Sequence, residues 1–346
     1  MARSELQYRV EAELNAFTSV QEFSKVFEGL QALASTGAID FRIDPSRHRG
    51  ADRIMRLSVH DTDRGLRQIA IDIADDPQIG DLVELEAADI YFKRSLHPGT
   101  LVTIDPTLAT KVRPFGLNNP AIRPASALKV LTARLRTGRS ARELARDARQ
   151  LLALPSPRAF EIPPETPADP MILFQTRLWS PATTAPGIEQ INEERVELIR
   201  TLRSAFGERF VGGAVPTDFV REQFPDVVTS LPFSMRAYPG LLRRPLIAVY
   251  SKGLRDSLAF KMSEYLAATR CIVGHMPATI LPRPLIQGEH LLGFTNADQC
   301  AAQCEALLSR PADANAMRWA NWTYYREQVE PSAHLISVLH RAFADS

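Results

Sequence analysis

The sequence predicts an α/β protein made of two facing, Rossmann-like domains. Three observations lead there. The chain has 346 residues, more than one ordinary hydrophobic core encloses. Two successive stretches alternate strand-like and helix-like segments, which points to sheets covered by helices. Between them lies LPSPRAFEIPPETPADP, residues 154–170, where repeated proline fixes the backbone, removes donors and discourages helix. No GxGxxG follows a first strand, so a single dehydrogenase fold fits less well than two such domains.

The elements follow in order. LQYRVEAEL alternates as a strand, and TSVQEFSKVFEGLQALAST carries an apolar stripe of helical period. IDFRI, RIMRLSV, RQIAIDI, DIYFKRS and LVTID are short β-rich runs. From Arg123 the pattern becomes PASALKVLTARLRTGRSARELARDARQLLAL, two helical runs broken at Gly138. Beyond the proline-rich segment come a strand in MILFQTRLW, a helix from Ile188 to Phe206, a strand in RFVGGAV and a helix from Thr217 to Val228. PLIAVYS, RCIVG and LLGF are further strands, and AMRWANWTYYREQVEPSAHLISVLHRAF closes the chain as two aromatic-rich helices parted at Pro331. The expected boundaries are residues 1–160, 161–325 and 326–346, with the terminal helix packing back on the first domain.

Composition narrows the function classes. Hydrophobic residues make up 45% and charged residues 23%, as in folded globular chains, and a net charge of +1 gives no global reason to bind nucleic acid. Cys271, Cys300 and Cys304 form no disulfide framework, and the spacing of Cys300 and Cys304 without a histidine pair gives no reason to expect zinc or another metal. MARSELQYRVEAELN lacks the apolar centre of a signal peptide, and no run reaches the length of a membrane span. We therefore expect a cytoplasmic protein, with any contact to the inner membrane surface peripheral. The basic run containing Arg134, Arg136, Arg139, Arg142, Arg146 and Arg149 suits either anionic lipid or plain solvent.

The stretch GLRDSLAFKMSEYLAATRCIV follows PLIAVYS directly. Asp256 and Ser257 are both good N-cap types, and a helix starting there sets Ser257, Lys261 and Glu264 on one stripe. A right-handed strand–helix–strand unit puts that helix end at the carboxyl edge of the sheet, where ligands of open α/β sheets bind. Free N–H groups and Lys261 there suit a diphosphate, and Glu264 suits vicinal hydroxyls. The plainer alternative has Ser257 capping, Lys261 pairing with Glu264, and Tyr265 in the core.

SKGLRDSLAFKMSEYLAATRCIVGH, then LPRPLIQGEHLLGF and WTYYREQVEPSAHLISVL, resembles the C-terminal half of GT-B glycosyltransferases, particularly bacterial group 1-like members with a K-x-x-E-Y-L-A segment. The resemblance covers residues 171–343. It implies a two-domain, metal-independent enzyme of cell-envelope polysaccharide synthesis. Its C-terminal domain would hold a nucleoside diphosphate-sugar, a substrate rather than a cofactor, and its N-terminal domain a glycan or lipid-linked acceptor. Lys261 would then bind donor phosphate and Glu264 the ribose or sugar hydroxyls. The first acidic position of the family's E-x7-E motif corresponds approximately to Ser257, so Glu264 alone supplies a carboxylate.

The remaining candidates fall beside the predicted strand ends. ILFQTRLWSP ends the first strand of the second domain, so Arg177 lies near the same carboxyl edge and can clamp phosphate; Lys252 follows PLIAVYS, and Gly288 lies with Arg283, Glu289 and His290 in a loop that could cover the donor. In the first domain SVHDTDRG and DIADDP offer His60, Asp61, Asp75 and Asp76; His60, Asp61 and Asp75 are the candidate bases, and each also fits a turn or cap. ADIYFKRSLHPG and RPFGLNNP offer Tyr91, Lys93, Arg94 and Asn118 for the acceptor, or as ordinary strand-edge residues. Two rivals to a glycosyltransferase remain: a sugar-nucleotide epimerase of the same architecture, and a non-catalytic nucleotide- or glycan-binding module.

Overall fold

The computed structural model describes residues 7–46, 53–183 and 187–344. Residues 1–6 of the amphipathic N-terminal segment lie outside the described residues. The chain divides into two compact units. One takes the residues up to Ala159, Ala278–Pro284 and the chain from Arg326 on, and the other takes Phe160–Pro277 and Leu285–Tyr325.

The first unit carries β1 (Tyr8–Leu14), β2 (Ile39–Pro45), β3 (Ile54–Asp61), β4 (Gly65–Asp72), β5 (Ile90–Lys93) and β6 (Val112–Pro114) in the order β2-β1-β3-β4-β5-β6. β3 runs antiparallel to both neighbours, whereas the other pairs are parallel. The sheet is therefore mixed, a departure from the plain Rossmann pattern. The reversal is made at Asp61, whose carboxylate accepts the N–H groups of Asp63 and Arg64, each at 2.9 Å, and at Gly65, with φ 84°. On the faces lie α1 (Ser24–Ser35), α2 (Leu82–Ala87), α3 (Pro98–Leu101), α4 (Pro106–Ala109), α5 (Pro124–Arg134) and α6 (Ala141–Leu152). The expected strand in LVTID does not form. Pro98 and Pro106 each start a helical turn on either side of it, and Val102 is exposed.

In the second unit β7 (Asp169–Thr176), β8 (Phe210–Ala214), β9 (Pro245–Tyr250), β10 (Cys271–Gly274) and β11 (Leu291–Gly293) form a sheet ordered β11-β10-β9-β7-β8. Every pairing is parallel. The chain leaves β7 on one side for β8 and builds β9 to β11 on the other, so the strand order reverses between β7 and β9. In open α/β sheets ligands bind in the crevice outside the carboxyl ends of the strands at such a reversal. The helices are α7 (Ile188–Phe206), α8 (Asp218–Gln223), α9 (Tyr238–Leu241), α10 (Lys261–Ala267), α11 (Ala297–Ser309) and α12 (Pro311–Tyr324). Pro225 cuts the expected helix from Thr217 to Val228 short after Gln223. The core joins Ile172, Phe174, Ile199, Leu202, Ile247, Val249 and all three cysteines, so the thiols serve as apolar filling.

From Phe160 on, the proline-rich segment is tied to the second unit and is no loose linker. The N–H of Ile162 donates to the Ala267 carbonyl at 3.1 Å, Thr269 donates to the Ile162 carbonyl at 2.9 Å, and Arg318 donates to the Thr166 carbonyl at 2.6 Å. The last helix, α13 (Pro331–Phe343), returns to the first unit and packs on α1. A glycine makes that approach feasible, because a Cβ at Gly29 would overlap the Pro331 carbonyl oxygen. Among the described residues no helix is long and apolar enough to cross a membrane.

Candidate functional site

The crevice between β7 and β9 is organised by an arginine that sequence reasoning missed. Arg195 is buried on the core stripe of α7 with Asn192, Ile199 and Leu202. Its guanidinium donates to the Ser251 hydroxyl at 3.0 Å, to the Arg177 carbonyl at 2.7 Å and to the Lys252 carbonyl at 2.7 Å, and it lies 4.4 Å from the Trp179 ring centroid. Asn192 adds a two-way clasp to the Trp179 backbone, at 3.1 and 2.7 Å. One helix thus fixes the segments leaving both strands. The available signal was an arginine at a position whose helical spacing places it among leucines and isoleucines.

The stretch GLRDSLAFKMSEYLAATRCIV folds differently from its expected form. α10 begins at Lys261, and the segment before it is a tight loop in which Arg255 and Asp256 take left-handed φ values of 55° and 56°. The N–H of Gly253 donates to the Ser257 carbonyl at 2.9 Å, which closes the loop. Ser257 is therefore neither a helix cap nor on a stripe with Lys261 and Glu264; it is buried in the turn. Lys252, a donor candidate, pairs with Asp256 at 2.7 Å. His275, at the end of β10, accepts the Lys252 N–H at 3.3 Å and faces Glu194 at 3.4 Å. Burial, then the cations Lys252 and Arg195, lowers the imidazole pKa to about 4.

Lys261 and Glu264 do not pair with each other. The ammonium of half-buried Lys261 sits 3.4 Å from the Tyr238 ring centroid, and the Tyr238 hydroxyl meets that of Tyr265 at 3.2 Å. Glu264 is only 8% exposed and has no side-chain hydrogen bond. Burial lowers the Lys261 pKa, Arg177 and Arg195 push in the same direction, and Glu264 opposes. Burial raises the Glu264 carboxyl, opposed by Lys261. Arg177 is exposed and makes no ion pair among the described residues. The segments leaving the switch point thus carry Arg177, Arg195 and Lys261, whose charges act on one another, with buried Glu264 one turn from Lys261, an arrangement suited to a phosphorylated ligand that also offers hydroxyls.

The loop holding Gly288 splits between the units. Arg283 belongs to the first and pairs with Glu327, whereas Gly288 belongs to the second, in a turn with φ 84° whose N–H donates to the Leu291 carbonyl at 2.8 Å. His290 is buried, accepting the Ile286 N–H at 3.0 Å and packing on Tyr324. It is a core residue.

The first unit separates its candidates. His60 and Asp61 lie at the end of antiparallel β3, beside the start of β1 and β4, hence at the amino edge of the sheet. Asp75 follows β4 at the opposite, carboxyl edge, where it pairs with Arg94. Lys93 and Tyr91 are fully buried, donating to the Asp72 carboxylate at 2.9 and 2.7 Å. Burial lowers the Lys93 pKa against the opposing pull of Asp72. These two are interior groups, a correction to their reading as surface contacts for an acceptor. Asn118 is also buried and donates to the Glu22 carbonyl at 3.1 Å. Asp76 caps a turn through the Gln78 N–H at 3.0 Å.

No protein-family model matches the chain, and no curated protein matches it in sequence. Solved structures show a distant likeness. One is a putative UDP-N-acetylglucosamine 2-epimerase from Listeria monocytogenes, with TM-score 0.45, 9% identity and 97% of each chain covered. Another is a glycosyltransferase from Rickettsia africae, with TM-score 0.42, 12% identity, 75% of this chain and 64% of that chain. A third is the C-terminal domain of a glycosyl transferase group 1 family protein from Francisella tularensis, with TM-score 0.33, 13% identity, 48% of this chain and 94% of that chain. At such identities the function rests on the chemistry of the site.

Proposed function

We propose that the second unit binds a nucleoside diphosphate-sugar at the switch point between β7 and β9, and that the protein is a glycosyltransferase passing the sugar to a hydroxyl of a glycan or lipid-linked acceptor. The observation that carries this is that Arg195 ties together the segments leaving the carboxyl ends of β7 and β9, one bearing Arg177 and the other leading into α10 with Lys261 and buried Glu264. In the transfer an acceptor oxygen bonds to the anomeric carbon, the bond to the diphosphate breaks, and negative charge gathers on the leaving phosphate. Arg177 and Lys261 offset that charge, Arg195 holds the segments that present them, and Glu264 accepts hydrogen bonds from vicinal hydroxyls. No base is assigned, because the first unit's candidates do not converge.

Calorimetric titration of UDP, GDP and their sugars tests the binding step. Arg177→Ala and Lys261→Ala should each weaken binding by about tenfold or more, as expected for a lost charge-assisted hydrogen bond. Donor turnover with and without added acceptor then separates transfer from epimerisation, which needs no acceptor. Binding of no nucleotide would refute the proposal.

A further inference from the structure

The basic run of residues 129–149 was legible as a stripe, but the structure sorts it into two kinds of residue. Arg134 is fully buried, donating to Asp147 at 2.8 Å and to the Asn15 and Thr18 carbonyls, so it ties the helical pair to the loop after β1. Arg139 is 12% exposed and pairs with Asp147 at 2.9 Å and with Glu143 at 3.5 Å. Glu143 also closes the Ser140 capping box, accepting the Ser140 N–H at 2.9 Å. Both acids of α6 are thereby occupied.

What remains outside is a different surface. Lys129, Arg136, Arg142, Arg146 and Arg149 are exposed, and none of them makes an ion pair among the described residues. Leu128, Leu135 and Leu152, in the same stretch of chain, are also exposed, at 65%, 67% and 60%. Leu128 and Lys129 lie on α5, Leu135 caps its C-terminus and Arg136 follows in the turn, while Arg142, Arg146 and Arg149 fall four and three residues apart on one face of α6. A solvated helix face commonly carries charges of both signs paired one turn apart, whereas here both acids of α6 are engaged and the five exposed cations are left without an acidic partner among the described residues.

We infer that this face of the α5–α6 pair docks on an anionic lipid bilayer. Five unpaired cations match a negatively charged headgroup layer, and the leucines reach the boundary with the acyl chains, which is the composition of an interfacial helix. Nucleic acid fits less well, because leucine neither stacks on bases nor contacts phosphate. The inference is independent of nucleotide chemistry and involves no residue of the switch-point site.

Co-sedimentation of the full-length protein with vesicles, without nucleotide, tests it. Binding to phosphatidylcholine containing about 30 mol% phosphatidylserine should exceed binding to phosphatidylcholine alone by about tenfold or more. The triple change R142E/R146E/R149E should abolish that difference. Leu128→Ser with Leu135→Ser should weaken binding at low salt and remove what persists at high salt, where charge attraction is screened. All are exposed positions, so unchanged thermal unfolding verifies the fold; the double change Lys129→Gln with Arg136→Gln serves if the triple variant is unstable. Absence of vesicle binding, equal binding to neutral and anionic vesicles, binding that survives both charge variants, or capture by duplex nucleic acid without vesicle binding would each overturn it.

Discussion

Lysine and glutamate one turn apart on an exposed helix normally pair for a few tenths of a kcal/mol. Lys261 and Glu264 instead turn to different surroundings, one over the Tyr238 ring and the other into a buried position without a hydrogen bond. Because burial lowers the Lys261 pKa and a bound diphosphate favours the ammonium, binding must take up a proton at alkaline pH. Nucleotide affinity should therefore fall as pH rises through the range below about 10.4, where an ordinary lysine is still charged. Lys261→Arg should flatten that profile; a profile equally flat in the wild type would contradict the assignment. His275 gives a stability effect of definite sign. Its folded pKa, about 4, lies below the unfolded value, so the unfolded chain binds more protons between the two. Stability should fall as pH drops from about 6.5 toward 4, by roughly 2 kcal/mol for this group. Denaturant unfolding of wild type and His275→Gln across that range should show the shallower slope in the variant.

At the scale of elements, close backbone approach decides where side chains are barred. Gly29 lies against the Pro331 carbonyl on α13, so Gly29→Leu should cost about 1–3 kcal/mol by overpacking, read as a lowered denaturation midpoint with an unchanged slope. An unaltered midpoint would show that α13 does not press on α1 there. The apolar runs of β7, β9 and β10 were legible because a strand buried on both faces needs continuous hydrophobicity. The direction of β3 was not, since a period of two looks the same from either end. LVTID was misread because its alternation outweighed the prolines that start α3 and α4 around it. The late start of α10 could not be read either: left-handed backbone at Arg255 has no signature in an arginine, and Asp256, a type that tolerates that conformation, serves equally well as a helix cap.

For the molecule as a whole, two α/β units were legible from length, alternation and proline, while the sharing of Ala278–Pro284 with the first unit was not. The donor candidates Arg177, Lys261 and Glu264 come together because strand ends of a parallel sheet share an edge. The first unit's candidates scatter because one reversed strand carries His60 and Asp61 to the far edge. The central claim is that the switch point of the second sheet holds a nucleoside diphosphate. Isothermal titration of UDP and GDP into the wild type and Lys261→Ala tests it most directly. Saturable binding of one nucleotide to the wild type, weakened by about tenfold or more in the variant, is the predicted result. Binding to neither nucleotide, or equal binding to both proteins, would contradict it.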